Sequence, residues 1–191
     1  MNFRFLVSFI LAISSISFVA EATQSQPKSQ DNVDRVTFFC GETIDAATGN
    51  KLPTTLAWIP QRGKNVPIIY WKSYPFTGAA WTNQKRCDNV SPKFQTFYEN
   101  NLLGYLTHGI YRGYPVICAV VTDTEQCNSD NQLFQLKPDQ QGGEVLMSLM
   151  DILENRTAQP LYQNSGKQIY VLMNNFLEKA PAVDSGDISQ N

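Results

Sequence analysis

The chain has 191 residues, a formal net charge of −2, 42% hydrophobic side chains and 17% charged ones. No basic stripe is present to release counterions from a phosphate backbone, which argues against nucleic-acid binding, and no polybasic patch points to anionic lipid. The apolar fraction and length suffice for one domain with a real core.

The first residues follow the layout of a secretory signal. Arg4 supplies the positive start, residues 5–20 carry no charge, and Ala20-Glu21-Ala22 forms the small-x-small cleavage pattern. Cleavage after Ala22 makes residues 1–22 a signal peptide and Thr23 the mature N-terminus. The competing reading is an uncleaved anchor, but the apolar run is shorter than the roughly 20 residues a spanning helix needs. Residues 23–32 are polar and read as a flexible leader, and residues 180–191 as a flexible tail of the same character. Residues 33–179 between them form a single globular domain.

Within that domain, Val36-Thr37-Phe38-Phe39-Cys40 is β-branched and aromatic and reads as a strand ending at Gly41. Residues 43–53 form a loop with a turn at Gly49-Asn50. A second strand spans residues 54–59 and stops at Pro60. The polar turn 61–65 leads to a third strand over 66–71, antiparallel to the second, with Pro67 suggesting an edge or a strand start.

From Thr82 the period changes. Thr82 can cap a helix in which Cys87, Val90, Phe94, Phe97 and Tyr98 recur at helical spacing. Pro92 either kinks that helix or opens a second one capped by Ser91. Residues 104–111 and 114–121 form a hairpin about Arg112-Gly113, and 133–136 a short strand. After Gly142-Gly143 a helical face is traced by Val145, Leu146, Leu149, Ile152 and Leu153. Residues 168–173 fit strand or helix equally, and Asn174 looks like the cap of a closing helix through Lys179. The expected class is α+β: a mostly antiparallel sheet of about five or six strands packed by two or three helices and stapled by disulfides.

Cys40, Cys87, Cys118 and Cys127 all follow the cleavage site, and an even number in an exported chain argues for two bridges. A zinc site or a thioredoxin-type pair would want a CxxC spacing, which is absent. Of the three possible connectivities, the short polar loop between Cys118 and Cys127 favours that pair, leaving Cys40 with Cys87. The sequence does not decide among them.

Several stretches carry a family resemblance: Phe38-Phe39-Cys40-Gly41, Pro53-Thr54-Thr55-Leu56-Ala57-Trp58, Pro67-Ile68-Ile69-Tyr70-Trp71-Lys72-Ser73, and the run from Arg86-Cys87 through Val90-Ser91 to Phe94-Gln95. Tyr105-Leu106-Thr107-His108-Gly109, Pro115-Val116-Ile117-Cys118, and Cys127 before Leu133-Phe134-Gln135-Leu136 complete the pattern. Together they resemble the cyanobacterial circadian oscillating protein family of small exported proteins. The resemblance implies a signal peptide and association with cyanobacterial cells. It brings no catalytic residue with it.

Signs of chemistry are sparse. His108 is the single histidine, and no GxSxG elbow accompanies any serine, so a hairpin or surface role outweighs catalysis. The acids Glu42, Asp45, Asp88, Glu99, Asp123, Glu125, Asp151 and Glu154 are scattered, and any two would have to be joined by the fold to serve as a glycosidase pair. Asp123, Glu125 and Asp130 share a polar loop with Asn128, but the calcium-loop pattern is missing. The enriched feature is aromatic: Tyr70, Trp71, Tyr74, Phe76 and Trp81 fall close together. Trp71, Lys72, Tyr74, Phe76, Trp81 and Arg86 are therefore the candidate ligand-binding residues, facing a sugar, peptide or lipid surface. Core packing of Trp71 and Trp81 is the favoured alternative.

The expected function is that of an exported, non-enzymatic envelope-associated protein, a binding or structural module with no catalytic residue, metal or cofactor. Its partner would be an envelope protein, a glycan or a membrane surface touched peripherally. Periplasm, thylakoid lumen and cell exterior fit the signal equally. The alternative is an extracytoplasmic hydrolase whose carboxylates the fold brings together.

Overall fold

A computed structural model of the chain describes residues 35–45, 47–72, 81–153 and 168–184, with the backbone alone at Ile152. All of these belong to one compact unit. Tyr74, Phe76 and Glu154, the proposed signal and the leader lie outside the described residues.

The class is α+β: among the described residues there are two antiparallel sheets, three α-helices and two disulfides. Strands β1 (Thr37–Ile44), β2 (Lys51–Ile59) and β3 (Lys64–Tyr70) form a three-stranded meander in chain order. Strands β4 (Tyr105–Tyr111), β5 (Tyr114–Val120), β6 (Gln132–Gln135) and β7 (Tyr170–Leu172) form the second sheet, in the order β6-β5-β4-β7. In place of the expected single sheet, the described residues form seven strands divided in two. The division falls where helix α1 (Asn83–Glu99) separates β3 from β4, so the meander cannot continue by a hairpin. Helices α2 (Gly142–Leu153) and α3 (Met173–Lys179) complete the unit.

Local chemistry explains most elements. The β4–β5 hairpin closes through Arg112 and Gly113, both at positive φ (51° and 82°), the two-residue turn whose twist matches the strands. Thr82 caps α1, its hydroxyl accepting from the Lys85 N–H at 3.2 Å. That helix runs unbroken across Pro92, which is exposed. The proline deprives one carbonyl of its partner only where water can replace it. Ser91 is therefore not a second cap: it is fully buried and shares a 2.9 Å hydrogen bond with Thr55 of β2.

The closing segment departs further from expectation. Residues 170–172 form β7 against β4, and α3 starts at Met173 with Leu172 at its cap position and no side-chain cap bond. Asn174 is not the cap, because the Met173 N–H is bound instead by the Gly104 carbonyl at 3.0 Å. Residues 180–184, expected in the polar tail, dock on β3. Ala180 is buried, Asn65 and Val183 exchange backbone hydrogen bonds, and Lys64 pairs with Asp184 at 3.1 Å.

The core lies between the sheets and helices, with Leu56, Phe94, Leu106, Ile117, Leu133 and Phe176 almost fully buried. Phe38 of β1 stacks on Phe94 of α1 at 5.6 Å. The Cys40–Cys87 bridge fastens β1 to α1 beside that stack, and Cys118–Cys127 ties β5 to its following loop. This is the pairing that the short-loop argument favoured.

Candidate functional site: a groove between α1 and β6

Where β3 ends, Trp71 turns inward and is only 2% exposed. Its indole N–H donates to Thr55 Oγ1 at 3.1 Å, and its ring meets Phe134 of β6 edge-on at 5.6 Å. The Arg86 guanidinium lies over the same ring, 4.5 Å from the centroid. A cation held against an aromatic face is attracted by the ring quadrupole. Burial depresses the Arg86 pKa, yet a guanidinium remains charged at any physiological pH. Trp71 is thus a core residue whose outer face positions a charge.

Arg86 opens a stripe along α1. Residues 86, 89, 90 and 93 follow the i, i+3, i+4, i+7 spacing of one helical face, and Arg86, Asn89, Val90 and Lys93 all line one cavity of about 370 Å³. The opposite wall is β6, the edge strand of its sheet, which contributes Gln132, Leu133, Phe134 and Gln135. Trp81, 44% exposed just ahead of the Thr82 cap, completes the lining.

Lys93 fixes the groove's width. Its ammonium donates to the Leu133 carbonyl at 2.9 Å, joining helix to strand edge, and desolvation lowers its pKa. An unpaired strand edge invites pairing with other chains, and a lysine laid across it is a common safeguard.

A second cavity of about 480 Å³ lies between the sheets under α2, lined by Ile68, Leu106, Ile117, Leu146 and other apolar side chains. It shares Arg86 and Phe134 with the groove. Lys72 lines this cavity rather than the groove, and its ammonium binds Asp45 at 2.8 Å. That bond, with the Ala47 N–H, lowers the Asp45 pKa.

Of the six candidate ligand-binding residues, the structure brings Trp81 and Arg86 into the groove, with Trp71 behind them. Lys72 stands apart, and Tyr74 and Phe76 are outside the described residues. Sequence reasoning passed over Asn89, Lys93, Gln132 and Gln135. The α1 stripe was legible as spacing, but the apolar face of Cys87, Val90 and Phe94 drew attention to the core. The β6 residues carried no signal, because only the fold sets them opposite α1.

His108 lies on β4 opposite Ile117, half-buried, with Nε2 enclosed and without a hydrogen-bond partner among the described residues. Its Cβ packs against Gly142 at the start of α2, and burial lowers its pKa. The Gln168 side-chain amide donates to its backbone carbonyl. Glu42 pairs with Lys51, and Asp88 and Glu99 accept from the side chains of Gln84 and Gln95. No described carboxylate lines the groove.

The profile of the family described as circadian oscillating protein COP23 matches residues 37–178. No curated protein matches the chain significantly, and no solved structure does.

Proposed function

The chain belongs to the circadian oscillating protein family, and from that premise we propose that it is an exported, non-enzymatic binding module of the cyanobacterial envelope that engages its ligand in the α1–β6 groove. The observation that carries this reading is the arrangement of Arg86, stacked on buried Trp71 and flanked by Lys93, Asn89 and exposed Trp81. A cation already desolvated and oriented needs little further ordering on binding, which is where affinity is usually lost. Two disulfides suit an oxidising compartment, and no described helix is long and apolar enough to cross a membrane.

Fractionation of a host expressing the tagged chain tests the proposal. The expected result is a product beginning at Thr23, with all four thiols blocked, retained on the envelope fraction. Trp81→Ala and Lys93→Gln should reduce that retention while leaving export unchanged. An unprocessed cytosolic chain, or groove variants retained like the parent, would refute it.

A further inference from the structure

The cavity under α2 is a second place where the fold leaves room. Its floor is hydrocarbon: Leu106 of β4, Ile117 of β5 and Leu146 of α2 are each no more than 2% exposed. Ile69, Val145 and Leu149 carry the wall outward and are only half-buried. A bulge helps to make the space. Thr55 pairs with Ile69 and Leu56 with Pro67, so Ile68 is an extra residue on β3. Neighbouring strand residues ordinarily point to opposite faces, yet Ile68 and Ile69 both line the cavity. A bulge bends its strand and re-aims side chains in this way.

Size and lining set the occupant. The volume is about 480 Å³, within the range of small-molecule sites. An engineered apolar cavity of about 150 Å³ takes one benzene ring, so by proportion this one has room for about 18 carbon atoms. Water is a poor occupant, because each molecule needs about two to four polar partners. Apolar space left empty subtracts from stability.

The mouth is polar and neutral. Tyr70 and Ser148 are exposed there, and Gln140 is half-buried. Ser148 Oγ donates to the Glu144 carbonyl at 2.9 Å and keeps lone pairs to accept with. Gln140 Oε1 accepts from the Lys137 N–H at 3.2 Å, and its amide nitrogen is a donor. A hydroxyl or carbonyl head group matches that combination. The cations on the wall are already engaged, Lys72 by Asp45 at 2.8 Å and Arg86 against the Trp71 ring. An anionic head would have to compete with Asp45 for Lys72.

We propose that this cavity binds one neutral single-chain lipid of about 18 carbons. Its chain lies between the sheets, and its hydroxyl or carbonyl meets Tyr70, Gln140 and Ser148. This is a second site, independent of the α1–β6 groove.

The test is competition on the mature, oxidised chain, with N-phenyl-1-naphthylamine as fluorescent probe and primary alcohols from octanol to docosanol as competitors. Affinity should rise by up to about fourfold per methylene, the scale of burying one such group. It should stop rising at about 18 carbons. Val145→Phe adds about four carbons to the space, so the plateau should come about four carbons earlier, with the melting temperature unchanged or higher. Leu149→Trp should shorten it in the same direction. Decanoate should bind no more tightly than decanol.

A steady rise with no plateau, or a plateau that neither variant shifts, would place the chain outside this cavity and overturn the site. Unfolding of both variants would show the space to be filled already, since overpacking a full core is costly, and would overturn it too. Tighter binding of decanoate would overturn the neutral head group. Binding to phosphatidylglycerol vesicles without binding of any free alcohol would move the source to the bilayer and overturn the free lipid. No binding of probe or alcohol up to their solubility limits would overturn the proposal outright.

Discussion

Replacing Thr55 by valine probes the foundation beneath the groove. Thr55 is fully buried on the central strand β2, and its hydroxyl both accepts from the Trp71 indole N–H at 3.1 Å and shares a 2.9 Å hydrogen bond with Ser91 of α1. Valine nearly keeps the shape but strands two polar groups that water cannot reach. Each such orphan costs about 1–3 kcal/mol, so Thr55→Val should destabilise by about 2–4 kcal/mol. Ser91→Ala alone removes one partner and should cost about 1–2 kcal/mol. In the double variant only the Trp71 N–H remains stranded, so the two losses should fall short of additivity by about 2–4 kcal/mol. Urea unfolding of the oxidised proteins measures this. With a slope of about 1–3 kcal/mol per molar, the Thr55→Val midpoint should fall by about 1–2 M with the slope unchanged. Strict additivity, or a Thr55→Val loss below about 0.5 kcal/mol, would refute the shared-hydroxyl account.

The two disulfides should differ in worth. On chain entropy, the Cys40–Cys87 bridge, closing 47 residues, should contribute about 1.5 kcal/mol more than Cys118–Cys127, closing 9. Paired Cys→Ala variants compared by denaturant unfolding check the order, and an inverted order would contradict it. His108 sets a pH dependence. Its folded pKa lies below the usual 6.5 through burial, so the unfolded chain binds the proton more readily, and stability drains as pH falls through about 6.5. His108→Leu should remove that component. The stability difference, parent minus variant, should shrink or turn negative between pH 7.5 and 5, as read by melting temperature, and a constant difference would rule out the buried neutral imidazole.

The groove shows how a site can be half visible in a sequence. Trp71, Trp81 and Arg86 stood out by type and proximity, and the structure separates their roles: one indole buried with the cation lying over it, the other exposed. Lys72 looked equivalent to Arg86 but is bound to Asp45, which follows β1 and is brought near by the pairing of β1 with β2 and of β2 with β3 rather than by chain distance. Gln132 and Gln135 look like any polar residues on a short strand until α1 lies against them.

What the residues settle unaided is local. The Thr82 cap, the Arg112-Gly113 turn, the stop at Pro60 and the helical period of α1 depend on contacts within a few positions, where chain geometry leaves few choices. The short span between Cys118 and Cys127 likewise made their pairing favoured. Only the tertiary structure decides that the strands divide into two sheets, that β7 returns to β4, that α3 begins at Met173 on a carbonyl of residue 104, and that residues 180–184 dock on β3. Each of these joins segments far apart in sequence. Such partners are selected by which edges and apolar faces remain uncovered once the core has condensed, a property of the assembled chain that no local pattern encodes.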